Sequence, residues 1–305
     1  MGGMTVDAHV EPRLQMAAPG TPYHRLARTP LHRWWRPLVG TLLIAGFFVF
    51  LQFVPFFIFL IAGPSLLGNP AALTALLLFA IAVMLPITLL VTRWVQRRPA
   101  STLSSVEGRL RRRWLMRCAG AAVLYLIPLS AVMLAMPAQF SGTGEELTWV
   151  GWQRFAGPAL IVLLLVPLQA AAEEYMFRGW LLQGIGAYLR KPWPAVVGSS
   201  VLFSLTHGGS TWAFVYYALF GAVLAVLTVR TGGLEAGIAL HVVNNTVLFL
   251  VVAATFGLDL SSLLTARAAV PWQFPLLMAI PLATYGALVW WLAKRFPVTA
   301  VSAAP

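Results

Sequence analysis

The sequence alternates between long apolar runs and short polar connections. Eight runs are long enough to cross, or nearly cross, a hydrocarbon core of roughly 30 Å. They cover residues 38–62, 71–92, 114–136, 155–177, 193–207, 212–229, 235–256 and 272–293. In hydrocarbon a segment must satisfy its own backbone hydrogen bonds, and unbroken apolar runs suit helices better than the alternating strands of a barrel. The pattern predicts an all-α fold, a polytopic transmembrane helical bundle of about eight helices.

The tryptophans agree with these boundaries. Eleven of the 12 lie at or near a predicted helix end, as interfacial anchors should. Only Trp180 departs from this pattern.

Composition and charge exclude several classes of protein. The 305 residues are 59% hydrophobic and 10% charged, which is too apolar for a soluble domain of this length. The net charge of +12 sits in short clusters beside the apolar runs, which is the positive-inside pattern and not a nucleic-acid surface. The single cysteine, Cys118, excludes an internal disulfide. We therefore expect membrane lipid as a partner and no nucleic acid.

The basic residues also predict the orientation. A cytoplasmic N-terminus leaves 19 of the 21 Lys and Arg on the cytoplasmic side, with only Arg154 and Arg267 outside. This predicts an integral membrane protein of the cytoplasmic (inner) membrane of a bacterium. Its parts are a basic cytoplasmic tail over 1–37, disordered or lying on the surface, a transmembrane domain over 38–295, and a C-terminal tail over 296–305. The oligomeric state stays open.

A few ionisable and amide side chains interrupt the apolar runs. Such residues cost several kcal/mol in a membrane unless they find partners, so they are candidates for function. The set consists of Glu173, Glu174, Arg178, His207, His241, Asn244 and Asn245.

Helical spacing separates the two adjacent glutamates. Glu174 and Arg178 are four residues apart on one face, in the order that favours an ion pair. Glu173 lies about 100° around the helix and faces a different surface, so it is the free carboxylate. His241 and Asn245 are also four apart and share a face. One base together with several hydrogen-bond donors is suited to hydrolysis.

Each of these residues also has a purely structural interpretation. Glu174 with Arg178 can be a scaffolding pair, His207 can satisfy a helix end, and Asn245 can join two helices. Other protease classes fit less well. The sequence has no H-E-x-x-H zinc helix, no Asp within a predicted helix, and no evident base beside Ser199 and Ser200.

Three short motifs in order resemble a known family. They are E-E-x-x-x-R at Glu173–Arg178, F-x-x-x-H at Phe203–His207 and H-x-x-x-N at His241–Asn245. Together they are similar to the CPBP family, the CAAX-type prenyl endopeptidases and their bacteriocin-processing relatives. The resemblance covers about residues 170–246 and places a catalytic core at about 155–256.

The resemblance implies an intramembrane endopeptidase with defined roles for these residues. Glu173, helped by His207, would activate water, while His241 and Asn245 would steady the oxyanion. Glu174 and Arg178 would support them. The family is often described as metalloproteases, so Glu173, His207 and His241 are also candidate ligands for Zn²⁺ with an open fourth position. A metal-independent reaction driven by glutamate-activated water is the other alternative.

The depth of His207 presents a difficulty. At about 1.5 Å per residue, Glu173 and His241 both fall within roughly 10 Å of the cytoplasmic edge. His207 would lie about 21 Å along a straight helix that begins at Trp193, too far to join them. We therefore expect the fifth helix to begin deep in the membrane, and Trp180 to Lys191 to form an interfacial or bent segment.

Two other functions are compatible with buried Glu and His residues. A transporter or proton-coupled carrier would use them as a relay, but no inverted repeat is evident. A non-catalytic, immunity-type membrane partner would keep the fold, but all the motif residues are present. Hydrolysis of a peptide or membrane-protein substrate near the cytoplasmic side is the leading hypothesis.

The orientation can be tested with reporter fusions. Because the basic residues place both termini inside, fusions after Gly68, Glu146 and Asp259 should report as external. Fusions after Arg98 and Arg230 should report as internal. An external signal after Arg98 would contradict the predicted topology.

Overall fold

The computed structural model describes residues 14–62, 69–135 and 148–303. The helices within these ranges are α1 (Trp35–Gln52), α2 (Val54–Ala62), α3 (Pro70–Trp94), α4 (Arg112–Ala135), α5 (Trp152–Glu174), α6 (Leu182–Gly186), α7 (Trp193–Leu205), α8 (Thr211–Thr231), α9 (Glu235–Phe256), α10 (Leu260–Ala268) and α11 (Gln273–Arg295). A π-helix, Tyr175–Leu181, joins α5 to α6. Residues 1–13 and 304–305 of the predicted tails, and the fusion positions Gly68 and Glu146, lie outside the described ranges.

The predicted all-α fold is confirmed. Within the described ranges no β-strand is present, and seven helical segments are long and apolar enough to cross a membrane. A further apolar helix, α7, has only 13 residues. Large apolar side chains cover the outside of the bundle, such as Ile61 and Leu134, each 88% exposed. The chain is therefore an integral membrane protein.

The tryptophans follow the predicted anchoring pattern with one exception. Ten of them are exposed near helix ends, for example Trp94 and Trp152. Trp114 is an exception because it is buried in the core at the start of α4. Trp180, which departs from the pattern in the sequence, is also buried.

The fourth predicted helix is longer than its apolar run. It continues from Trp152 through the π-helix to Gly186 as one segment of 35 residues. Trp180–Gly186, part of the segment expected to be interfacial or bent, continues the helix that carries Glu173 through the π-helix. The fifth predicted helix, α7, is much shorter than its neighbours.

Trp180 locks the π-helix against α1. Its indole N–H donates to Thr41 Oγ1 at 3.0 Å, and its ring lies on Gly40. A Cβ at Gly40 would come within 2.2 Å of the Trp180 ring, so only glycine permits this approach. This contact fixes the segment immediately after Glu173 and Glu174.

The two tails close the basic end of the bundle. Tyr23 is fully buried and donates a hydrogen bond to the Leu103 carbonyl, while Ser302 N–H donates to the Thr21 carbonyl at 2.9 Å. Residues around Tyr23 in the N-terminal segment are therefore packed against the bundle. Arg111 lies in the same layer and holds Glu235, at the start of α9, through Nη2 to Oε2 at 2.7 Å.

Candidate active site

Glu174 is the central acceptor of a buried cluster of charged side chains. Its Oε1 accepts from Arg178 Nη1 at 2.9 Å and from His241 Nδ1 at 2.8 Å. The Glu174 and Arg178 side chains are both fully buried, and Arg178 also lies over the Phe203 ring at 4.2 Å. The predicted pair of Glu174 with Arg178 is confirmed. The contact to His241 adds a role that the spacing did not indicate, because Glu174 also orients an imidazole from another helix.

A glycine allows α9 to approach this carboxylate. A Cβ at Gly237 would lie 2.6 Å from Glu174 Oε2, so a larger residue would push the two helices apart. Gly237 stands four residues before His241 on α9. The close approach therefore brings the His241 ring within reach of α5.

Glu173 faces a different set of partners, as its position on the helix predicts. Its Oε1 accepts from Gln169 Nε2 at 2.7 Å, one turn earlier in α5. Its Oε2 lies 3.4 Å from His241 Nε2 and has no hydrogen-bond partner among the described residues. His241 thus stands between the two carboxylates, with Nδ1 toward Glu174 and Nε2 toward Glu173.

A chain of amides extends the cluster along α9. Asn245 Nδ2 donates to Gln169 Oε1 at 3.3 Å, and Asn244 Nδ2 donates to Asn245 Oδ1 at 3.2 Å. Tyr125, on α4, donates to Asn244 Oδ1 at 2.9 Å. The long bond from Asn245 is weak and can be exchanged for a substrate acceptor.

His207 follows α7 and lies against aromatic rings. Its Nδ1 donates to the Phe203 carbonyl at 2.9 Å, which leaves Nε2 available as an acceptor. Its ring stacks on Tyr217 at 4.3 Å. Phe203, which the sequence alone does not distinguish from core packing, contacts both histidine rings, with centroids 4.3 Å from His207 and 5.9 Å from His241.

A small cavity of about 50 Å³ lies beside His207 and His241. Its walls include His207, His241 and Asn245. A single water needs roughly 10–15 Å³, so the cavity has room for water beside the two imidazoles. The difficulty over the depth of His207 is thus resolved in part, because His207 and His241 line one cavity.

Arg267 also lines this cavity. The distribution of basic residues predicted only that Arg267 lies on the external side of the membrane. It lies on α10, a short helix that the apolar runs did not predict. Its Nη1 donates to the His207 carbonyl at 3.3 Å, and its guanidinium lies 5.4 Å from the Tyr217 ring. Gln169 was also missed, although a polar residue one turn before Glu173 in an apolar run was a usable signal.

The three candidate zinc ligands do not form one ligand shell. Glu173 and His241 are adjacent, while His207 is held against Phe203 and Tyr217. Across the described ranges, no group of three His, Cys, Asp or Glu side chains is arranged to hold a metal ion. Zn²⁺ stays a prediction from the sequence.

Glu174 should be more important for stability than Glu173. Glu174→Gln removes the counter-charge of the fully buried Arg178, and breaking a buried pair costs about 3–5 kcal/mol. The melting temperature in detergent and the amount of protein in the membrane should both fall. The matched control is Glu173→Gln, which changes the adjacent carboxylate but leaves the Arg178 pair intact. Equal melting temperatures for the two variants would contradict the assignment.

Comparisons with known proteins find a family model that is similar to the segment carrying this site. The chain is 27% identical over 216 residues to "Uncharacterized protein YyaK" of Bacillus subtilis (strain 168), which covers 67% of this chain and 71% of that protein. No solved structure matches the chain. The sequence model described as "Type II CAAX prenyl endopeptidase Rce1-like" matches residues 155–247, the segment that carries Glu173, His207, His241 and Asn245. Over this segment the chain is similar to the Rce1-like family of CAAX-type endopeptidases.

Proposed function

We propose that this protein is an intramembrane endopeptidase that hydrolyses a peptide bond with a water molecule activated by Glu173. The observation that carries the proposal is the unequal environment of two adjacent carboxylates. Glu174 Oε1 accepts from Arg178 and His241, and its Oε2 lies against Gly237. Glu173 Oε1 accepts from the neutral Gln169 instead, and its Oε2, without a hydrogen bond among the described residues, lies 3.4 Å from His241 Nε2. A buried carboxylate with a free oxygen near an imidazole is suited to act as a general base.

The proposed reaction proceeds in two steps. Glu173 Oε2 takes a proton from water as the water oxygen attacks the carbonyl carbon, which gives a tetrahedral oxyanion. The carbon–nitrogen bond then breaks, and protonated Glu173 returns its proton to the leaving amine. Gln169 holds the other oxygen of Glu173 at 2.7 Å, so the carboxylate keeps its orientation through both steps.

His207 is suited to position the attacking water. Its Nδ1 is bonded to the Phe203 carbonyl, so Nε2 is left to accept a hydrogen bond from water. Stacking on Tyr217 and the hydrogen bond from Arg267 to the His207 carbonyl hold the residue in place. In this proposal Arg267 is a positioning residue that acts through His207.

Asn245 and His241 would stabilise the oxyanion. The Asn245 amide is one turn from His241 on α9, lines the same cavity, and makes only a 3.3 Å bond to Gln169. A substrate oxyanion would be a better acceptor than the neutral amide oxygen of Gln169. Glu174 fixes His241 through Nδ1, as a carboxylate orients a catalytic imidazole in other hydrolases.

The proposed setting is a bacterial inner membrane with both termini in the cytoplasm. His241 lies six positions after Glu235, the first residue of α9, so its backbone is roughly 9 Å along the helix from the basic end. Cleavage would therefore occur near the cytoplasmic side, and the substrate would be a peptide or a membrane-protein segment. The match of residues 155–247 to the Rce1-like endopeptidase model supports the peptidase chemistry.

Glu173→Gln provides the main test of this proposal. The amide keeps the size of the side chain but cannot take the proton, so cleavage should fall by at least ~100-fold while the protein accumulates normally. Because the substrate has to be found first, membranes containing wild-type or variant protein are compared by N-terminal proteomics. A protein cleaved only with the wild type is then assayed in proteoliposomes. Identical membrane proteomes would favour a non-catalytic partner, and normal cleavage by the purified variant would disprove the mechanism.

Asn245→Ala tests the oxyanion role separately. Loss of one preorganised donor should reduce turnover by about 100-fold, with little effect on melting temperature because the side chain is only partly buried. Asn244→Ala is the comparison variant and should lose less activity, because this neighbouring amide is tied to Tyr125 and acts only through its hydrogen bond to Asn245. Equal losses in the two variants would show that the amide chain is structural.

A further inference from the structure

A second cavity lies on the outside of the bundle, between α8 and α11. It is a groove of about 470 Å³ with an apolar lining, including Val223 and Val226 on α8 and Ala283 and Gly286 on α11. Both helices are membrane spans by length and composition. A groove in such a surface is filled by a lipid chain, because an empty one would lose dispersion contacts along its whole lining.

The groove ends at a pair of cations. Arg230, near the end of α8, forms part of the lining, and its guanidinium lies 5.6 Å from the centroid of the Trp290 ring. The Lys294 ammonium, near the end of α11, lies 5.5 Å from the same centroid. Trp290 is 47% exposed, so it stands at the mouth of the groove with a cation on either helix.

These cations lack acidic partners in the described parts of the chain. Neither Arg230 nor Lys294 forms an ion pair there, and the acids at this end are already engaged, Glu107 with Arg109 and Glu235 with Arg111. A guanidinium presents a fork of donors that matches a phosphate, and an ammonium adds a point charge. Tryptophan favours the headgroup level of a bilayer.

We propose that the groove between α8 and α11 is a binding site for an anionic phospholipid. One acyl chain occupies the groove beside Gly286, and the phosphodiester lies between Arg230 and Lys294. Basic pockets between membrane helices bind anionic headgroups in this manner. The site is separate from the cavity lined by His207 and His241, and the proposal does not depend on the protein being a hydrolase.

Charge selectivity is the first test. Purified full-length protein in detergent is titrated with phosphatidylglycerol or with phosphatidylcholine of the same acyl chains, and bound lipid is counted by native mass spectrometry. Phosphatidylglycerol should bind more tightly, and the double variant Arg230→Gln, Lys294→Gln should lose roughly tenfold or more of that affinity. Arg93→Gln, an exposed arginine at the end of α3, should not. Equal binding of the two lipids, or an unaffected double variant, would overturn the proposal.

Occupation of the groove is tested by filling it. A Cβ at Gly286 meets no atom within 4 Å, so Gly286→Leu should fold normally and project into the groove. Bound phosphatidylglycerol should fall at least to the level of the double variant. Gly120→Leu is the matched control, because Gly120 on α4 is also open and exposed but lies away from the groove. If Gly286→Leu binds phosphatidylglycerol like the control, no chain occupies the groove and the proposal is wrong.

Discussion

The structure of the site depends on one acceptor, the Oε1 atom of Glu174. A charged side chain inside a membrane costs several kcal/mol unless it finds partners, and here Glu174 is partnered by an arginine and a histidine. Arg178 reaches the oxygen from the same helix at 2.9 Å, and His241 reaches it from α9 at 2.8 Å. Two different helices are therefore held at one atom. Gly237 makes this possible, since any side chain at that position would collide with Glu174.

Because Glu174 Oε1 is paired with Arg178 and His241, Glu173 has different partners. Both carboxylates are buried and adjacent, and two such groups competing for Arg178 would each be half neutralised. The helical turn of about 100° prevents this competition by pointing Glu173 toward Gln169 and the Nε2 side of His241. His241 is then fixed by Glu174 at Nδ1, and its Nε2 faces Glu173. A structural ion pair and a candidate base thus come from consecutive residues.

The sequence predicted the parts of this arrangement that follow from periodicity. Hydropathy gave the long helices, and four-residue spacing gave the pair of Glu174 with Arg178 and the separate face of Glu173. It could not give the partner of Glu174 on α9, because a contact between residues 67 positions apart depends on helix packing. The π-helix after Glu174 was also out of reach, and so was the packing of its Trp180 on Gly40 in a distant helix. Arg267 was missed because α10 has nine residues and no long apolar run.

The two ends of α9 lie in different environments. At its start, Glu235 is clamped by Arg111, which also donates to the Thr299 carbonyl of the C-terminal tail. The loop that carries Arg111 is in turn covered by Tyr23 of the N-terminal segment through the Leu103 carbonyl. From His241 onward, α9 lines the cavity with Asn245 and Phe249 instead. The charged cluster is thus closed off at the basic end by ion pairs and both tails. The cavity wall runs along α9 away from that seal, toward His207 and Arg267.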